Sequence, residues 1–315
     1  MLRPLRTPAA VGVLFSVVLL LAGCASPQLA ALKERLPETL PPRAELSGVP
    51  FYPQQEYQCG PAALATALVH AGVETDPKAL VAQVYLPARE GSLQVEMLAA
   101  ARRHDLVAYR LAPQLRDLLA EIAGGTPVIV LQNLAFNFAP RWHYAVAVGY
   151  DLTREEIILH SGTTKHLVMP LTSFERTWAR SGKWAMTTLP PRRLPVTATE
   201  ERYVSSIVAL ERVAPASAYR AYATALERWP DNLLARIGQG NASYSMRYLA
   251  AAEDAYREAT RRHPDAADAW NNLAQTLLEL GRRDEALAAA QRAVDTGGPH
   301  LPVYQETLRA ITESR

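Results

Sequence analysis

The feature that most constrains this chain is a repeat near its C-terminal end. "RWPDN", holding Pro230, recurs as "RHPDA", holding Pro264, at an offset of 34 residues. On that offset Gly240, Ala252, Tyr256, Ala259 and Pro264 fall opposite Ala274, Ala286, Ala290, Ala293 and Gly298. A still earlier copy supplies Ala218, Tyr222, Ala225 and Pro230. Small residues at fixed places let two helices cross closely, and the prolines end each second helix. Such a period belongs to stacked helix pairs, each burying its apolar face against the next. An all-α solenoid of about three units is therefore predicted over 198–315. Its best copy is 266–298, with Trp270, Leu273 and Leu277 in first-helix positions, while 198–231 and 232–265 are degenerate.

This pattern resembles tetratricopeptide repeats. The resemblance implies a concave face that holds a protein or peptide partner and carries no chemistry of its own.

The chain begins "MLRPLRTPAAVGVLFSVVLLLAGCAS": two arginines, an uncharged run from Ala9 to Ala22, then small residues. That is the order of a secretory leader, and the run is shorter than the roughly 20 residues a spanning helix needs. "LAGC", Leu21 to Cys24, resembles the lipobox of bacterial lipoproteins. The resemblance implies cleavage before Cys24, lipidation of its thiol, and anchorage to a membrane through several acyl chains. With no aspartate after Cys24, the family's sorting rule implies an outer-membrane anchor facing the periplasm. The expected layout is a signal peptide over 1–23 and a lipidated tether over 24–47, containing a short helix. The chain has two cysteines. If Cys24 is acylated, Cys59 has no intramolecular disulfide partner, and a lone exported thiol is a liability unless buried or used.

Charge narrows the partners. The sequence holds 33 Lys+Arg and 31 Asp+Glu, and Arg3 and Arg6 lie in the leader, so the remainder is balanced at 31 each. Nucleic acid as main partner needs a basic surplus or stripe, and neither is visible.

Between 48 and 189 the period is mixed. "GPAALATALVHAG" reads as a helix starting at Gly60–Pro61 and stopping at Gly72. "DPKALVAQVYL" and "SLQVEMLAAARRHDL" read as helices with Asp76 and Ser92 as N-caps. "LVAYRL" is a strand and "PQLRDLLAEIAGG" a helix. Five β-rich runs follow, "TPVIVLQNL", "WHYAVAVGYD", "EEIILHSG", "KHLVMPL" and "GKWAMTTL", interrupted by the helical "TSFERTWAR". The prediction is an α+β domain, its helices on one side of an antiparallel sheet. "PPRRLPVT", 190–197, reads as a linker.

Cys59 starts the first of these helices, where free N–H groups and the helix dipole favour a thiolate. It needs a base. Of seven histidines, His143 heads an otherwise apolar strand, at the mouth where a side chain can face a cleft. Read from spacing alone, the pair is either a nucleophile with its base or a buried thiol beside a core histidine.

"VPFYPQQEYQCGPAALATAL" followed by "WHYAVAVGYD" resembles the papain-like cysteine peptidases that process double-glycine leaders of bacteriocins. It is most similar to their lipoprotein relatives with C-terminal tetratricopeptide repeats. The resemblance covers about 48–189 and implies a papain-like peptidase domain with Cys59 as nucleophile and His143 as general base. It also implies a glutamine in the oxyanion hole: Gln54 by choice, before Gln55 and Gln58. The family's histidine-orienting residue is an aspartate in an Asp-Pro pair on the next strand, and here the chain departs from the pattern. Asp151 lies eight residues along the same strand, roughly 26 Å away at about 3.3 Å per residue. If the strand folds back near Thr153–Arg154, residues His160 to Gly162 come opposite His143, where Ser161, a main-chain carbonyl or a water is placed to accept from the imidazole.

No Gly-rich phosphate loop and no Gly-x-Ser-x-Gly elbow occurs, and neither a cofactor nor a metal is expected. Phe136, Phe138 and Trp142 flank the proposed base, either as loop and core packing or as the lining of a substrate groove. The expected function is a membrane-anchored cysteine peptidase acting on a peptide or amide bond. The competing readings are an inactive peptidase-like scaffold and a non-proteolytic acyl transfer on the same residues.

Overall fold

The computed structural model describes residues 26–35, 37, 40–54 and 58–313, so the leader, Cys24 and Gln55 lie outside the described residues. The N-terminal half is built from α1 (Pro27–Glu34), β1 (Arg43–Glu45), α2 (Cys59–His70), α3 (Pro77–Val84) and a small pair, β2 (Tyr85–Leu86) and β3 (Gly91–Ser92). Then come α4 (Gln94–Arg103), β4 (Val107–Arg110), α5 (Leu115–Ala123), β5 (Val128–Asn133) and β6 (Trp142–Asp151). The half ends with β7 (Glu156–Ser161), β8 (Thr164–Pro170), α6 (Leu171–Ala179) and β9 (Ala185–Leu189). The large sheet has the order β4-β9-β5-β6-β7-β8, with β1 paired to the distal end of β6. Every pairing is antiparallel.

Helices cover both faces of this sheet, not the single face expected. On one side α2, α3 and α4 bury Leu64, Leu68, Leu80 and Met97 against Ile129, Val146 and Met186. On the other, α1, α5 and α6 bury Leu29, Leu118 and Trp178 against Val130, Ala147 and Leu159. The signal lay in β5 and β9, which are buried at every position. A near-continuous apolar run, rather than strict alternation, marks a strand covered twice.

α2 begins at Cys59 itself, one residue before the expected start, and is buried continuously from Gly60 to Leu68. It ends as its sequence requires. Gly72 takes φ +94°. Its N–H donates to the Val69 carbonyl and that of Val73 to the Leu68 carbonyl, a Schellman turn that only glycine adopts cheaply. Asp76 caps α3 as predicted, accepting from the Ala79 N–H at 2.9 Å. Ser92 does not cap α4; Leu93 holds that place. Tyr85–Leu86 leave the α3 pattern to pair with Gly91–Ser92, and the resulting strand takes Ser92 out of capping position.

The C-terminal half is helical: α7 (Glu200–Glu211), α8 (Pro215–Arg228), α9 (Leu233–Ser245), α10 (Leu249–Arg262), α11 (Ala267–Glu279), α12 (Arg283–Thr296) and α13 (Leu301–Glu313). The second helices of the pairs start at 215, 249 and 283, which keeps the 34-residue period through the degenerate copies. Gly240 shows why small residues recur: a Cβ there would lie 2.4 Å from the Tyr256 ring. α13 covers the last pair with Tyr304 and Ile311.

The segment 190–197 is a packed junction. The buried Glu121 carboxylate accepts from the Thr197 N–H at 2.8 Å and its hydroxyl at 2.6 Å. Arg193 donates to the Gly124 carbonyl at 2.7 Å, and the Tyr109 hydroxyl to the Thr197 carbonyl at 3.1 Å. Val204, Ile207 and Leu210 of α7 share one core with Val107, Tyr109 and Leu189 of the sheet.

Candidate active site

A cleft of about 840 Å³ opens at the end of the sheet where β5 finishes and β6 begins; Gln54, Cys59, His143, Gly162 and Ser181 line it. Arg89, Glu90, Arg141 and Trp142 also line it.

Cys59 is half-buried at the first residue of α2. The N–H groups of Tyr144, Gly60 and Cys59 itself approach the sulfur and favour its ionised form. Burial outweighs them, and the thiol is pushed up from the ordinary cysteine value. The start of α2 can come this close to the β2–β3 pair because residue 60 is glycine: a Cβ there would lie 2.2 Å from Ser92 Oγ. Ser92 holds the cleft's other side by accepting the Tyr144 hydroxyl at its carbonyl, 3.2 Å away.

His143, second residue of β6, pairs with Gln132 of β5. Burial, helped by the nearby Arg141 guanidinium, pushes its imidazole down to about 4, so it is neutral at pH 7. Its Nε2 lies 2.8 Å from Ser161 Oγ. The β6–β7 pairing reaches only Val146↔His160, and a register shift between Leu159 and Ser161 in the β7–β8 ladder marks a bulge there. Such a bulge re-aims a side chain, and here the residue beyond it meets the histidine. Among the described residues no hydrogen bond joins His143 to Cys59, and none engages His143 Nδ1. Asp151 takes no part: it sits at the far end of β6 and turns the chain, accepting from the Thr153 and Arg154 N–H groups at 2.9 and 3.0 Å.

Gln54 closes the arrangement. Its N–H donates to the Gly162 carbonyl at 3.0 Å, and its side-chain Oε1 accepts from the Gly162 N–H at 3.1 Å. Nε2 donates to the Tyr144 carbonyl at 3.2 Å. The amide thus spans from β6, beside His143, to the turn that follows Ser161. An amide nitrogen carries two protons, so one donor remains for another acceptor. Gln58 is the N-cap position of α2 and makes no capping bond with its side chain.

Sequence reading missed three contributors. The Tyr144 main chain receives Gln54 on its carbonyl and faces Cys59 with its N–H, and its only sequence signal is adjacency to His143. Arg141 depresses the imidazole, and Gly60 makes room for Ser92. The aromatics divide. Trp142 lines the cleft, whereas Phe136 and Phe138 stack 5.3 Å apart on an exposed hairpin. Asn133 braces that hairpin, accepting from the N–H groups of Ala135 and Arg141.

Comparison with known proteins agrees with this division. Residues 46–186 match the model of the Peptidase_C39 like family, and residues 238–302 match a tetratricopeptide repeat model. The chain therefore carries a C39-peptidase-like domain followed by tetratricopeptide repeats. Among solved structures, a protein described as a C39-like peptidase from Bacillus anthracis is 20% identical, over 47% of this chain and 97% of that one, with a TM-score of 0.39. MamA is 18% identical over 36% of this chain and 67% of its own, with a TM-score of 0.34. The first tetratricopeptide unit of Spaghetti (RPAP3), bound to an HSP90 peptide, is 15% identical over 38% and 96%, at a TM-score of 0.33. No curated protein matches the chain.

Proposed function

We propose that this chain is a cysteine peptidase of the cell envelope, held to a membrane by acyl chains on Cys24 and using its repeats to recruit a protein or peptide. The observation that carries the enzymatic reading is the convergence of Cys59, His143 and Gln54 on one cleft from three separate segments, with Ser161 of a fourth against His143.

In this reading each atom has a part. Nε2–H of the neutral imidazole donates to Ser161 Oγ, which fixes the ring and leaves the Nδ1 lone pair to take the thiol proton. Cys59 Sγ then attacks the amide carbonyl. The oxyanion is met by the Cys59 N–H and by the second Nε2 proton of Gln54, donors held before the charge develops. The imidazolium passes its proton to the leaving amine, and water, deprotonated by the same imidazole, hydrolyses the thioester. Because burial keeps both thiol and imidazole neutral at rest, the proton moves during attack rather than beforehand. Hydrogen bonds of this kind are often loose without substrate and tighten when it binds.

The test is cleavage of a proteome-derived peptide library by the mature protein, read as new termini by mass spectrometry. Termini that appear with wild type and vanish in Cys59→Ala and His143→Ala are expected. A folded wild type that yields none overturns the enzymatic reading. It would favour the scaffold reading, which rests on a serine standing where the family has a carboxylate.

A further inference from the structure

Among the described residues, the stretch that follows the proposed lipid anchor is fastened to the domain. α1 is bolted to the domain at both of its ends. The Glu175 carboxylate of α6, 2% exposed, accepts from the N–H groups of Gln28 at 2.9 Å and Leu29 at 3.0 Å, capping the start of α1. The Gln28 side chain returns the arrangement: Nε2 donates to the Pro113 carbonyl at 2.9 Å, and Oε1 accepts from the Leu115 N–H, capping the start of α5. Ser26 Oγ donates to the Thr172 carbonyl at 3.3 Å, and at the other end Lys33 pairs with Glu155. Leu29 and Leu32 are buried in the sheet's core. A helix of eight residues with two buried leucines and reciprocal caps behaves as part of the fold, not as a leash.

The attachment also has a definite place. Thr172 is in the first turn of α6, and the Leu171 N–H donates to the Glu155 carbonyl in the β6–β7 turn. That turn adjoins Asp151, the last residue of β6, whereas His143 is near its start. Eight residues of strand separate them, roughly 26 Å at about 3.3 Å per residue. Cys24 precedes Ser26 by two residues, a chain length of about 7 Å at most.

We infer that the acylated protein stands on the bilayer by the end of the sheet that holds the β6–β7 turn, with its cleft at the opposite end, facing away from the lipid. The partner of that turn end is a lipid surface, and the substrate is a polypeptide reached some 2–3 nm from it, not a segment lying at the headgroups. This rests on the lipid-anchor reading above.

The experiment uses full-length protein processed in a bacterial host and reconstituted into phosphatidylethanolamine–phosphatidylglycerol vesicles bearing a headgroup energy acceptor. In a Cys59→Ser background, a fluorophore is placed at Thr153→Cys on the turn or at Phe138→Cys on the exposed β5–β6 hairpin at the cleft end of the sheet. Transfer to the headgroups is expected to be several times more efficient from position 153 than from 138. Inserting twelve Gly/Ser residues between Ala25 and Ser26, a coil of about 20 Å, should shrink that difference. Equal transfer from both positions in acylated protein, or no effect of the insertion, overturns the inference and leaves the anchor standing. Protein recovered without acyl chains by mass spectrometry overturns the anchor reading and the inference together.

Discussion

Replacing Ser161 by aspartate tests the core of the site. In the wild type the residue facing His143 Nε2 at 2.8 Å is a neutral hydroxyl, and the imidazole is pushed down to about 4. An ionised carboxylate there interacts with the imidazolium at about 4 Å between charge centres, worth about 4 kcal/mol at an effective dielectric constant near 20. Residue 161 is only half-buried, and solvent at the rim roughly halves this, to about 2 kcal/mol, or on the order of thirtyfold in favour of the imidazolium. Each imidazolium gained beside Cys59 favours a thiolate. The assay is the pH dependence of alkylation by iodoacetamide. Wild type should react with a single limb rising above the ordinary cysteine range, since burial has raised the thiol. Ser161→Asp should add a plateau at neutral pH about thirtyfold above wild type, and His143→Ala should abolish it. If folded Ser161→Asp keeps the wild-type profile, the hydroxyl–imidazole contact does not govern the thiol, and the triad assignment fails.

His143 titrates near its ordinary 6.5 when unfolded and at about 4 when folded, so the unfolded chain binds the extra proton between those values. Stability should therefore be full above 6.5 and fall as pH drops toward 4, by about 3 kcal/mol at most, and urea titrations of wild type against His143→Gln read the difference. Gly60→Ala forces a methyl against Ser92 and should cost about 1–3 kcal/mol in the same titrations, with much of it recovered in Gly60→Ala/Ser92→Gly. Glu175→Gln keeps the shape but removes a charged cap, and should cost about 1–3 kcal/mol and speed amide exchange at Gln28 and Leu29. Gly240→Ala drives a Cβ into Tyr256 and should loosen the repeats by a similar amount, about 1–3 kcal/mol, read by near-ultraviolet circular dichroism on melting.

The sequence was most legible where a physical rule repeats itself. Thirty-four-residue spacing located the helix pairs even where copies had decayed, because the crossing positions tolerate only small residues. The Asp76 cap and the Gly72 stop were readable for the same reason: each residue answers one local backbone need. Cys59, His143 and Ser161 were singled out by three different signals, a helix start, a polar residue heading an apolar strand, and the fold-back of a hairpin. What could not be read is whatever depends on the sheet's surroundings. The second helical face, the loss of Ser92 as a cap to the β2–β3 pair, and the raised thiol all come from tertiary burial. Gln54 was singled out only through the family resemblance, and its bond to the Tyr144 carbonyl and its embrace of Gly162 are long-range pairings with no local trace.

The core that α7 shares with β4 has a bearing on how the chain survives in the cell. β4 is the outermost strand on its side of the sheet, and an outermost strand carries unpaired peptide groups that recruit other chains into aggregates. α7 lies over that strand with Tyr203, Val204 and Ile207 inward. A truncation at Pro190 would uncover Tyr109 and Val107 beside a strand whose edge is already open, so the N-terminal half produced alone should be sticky. On the ribosome that half emerges first, and its exposed core face stays open until α7 follows to cover it.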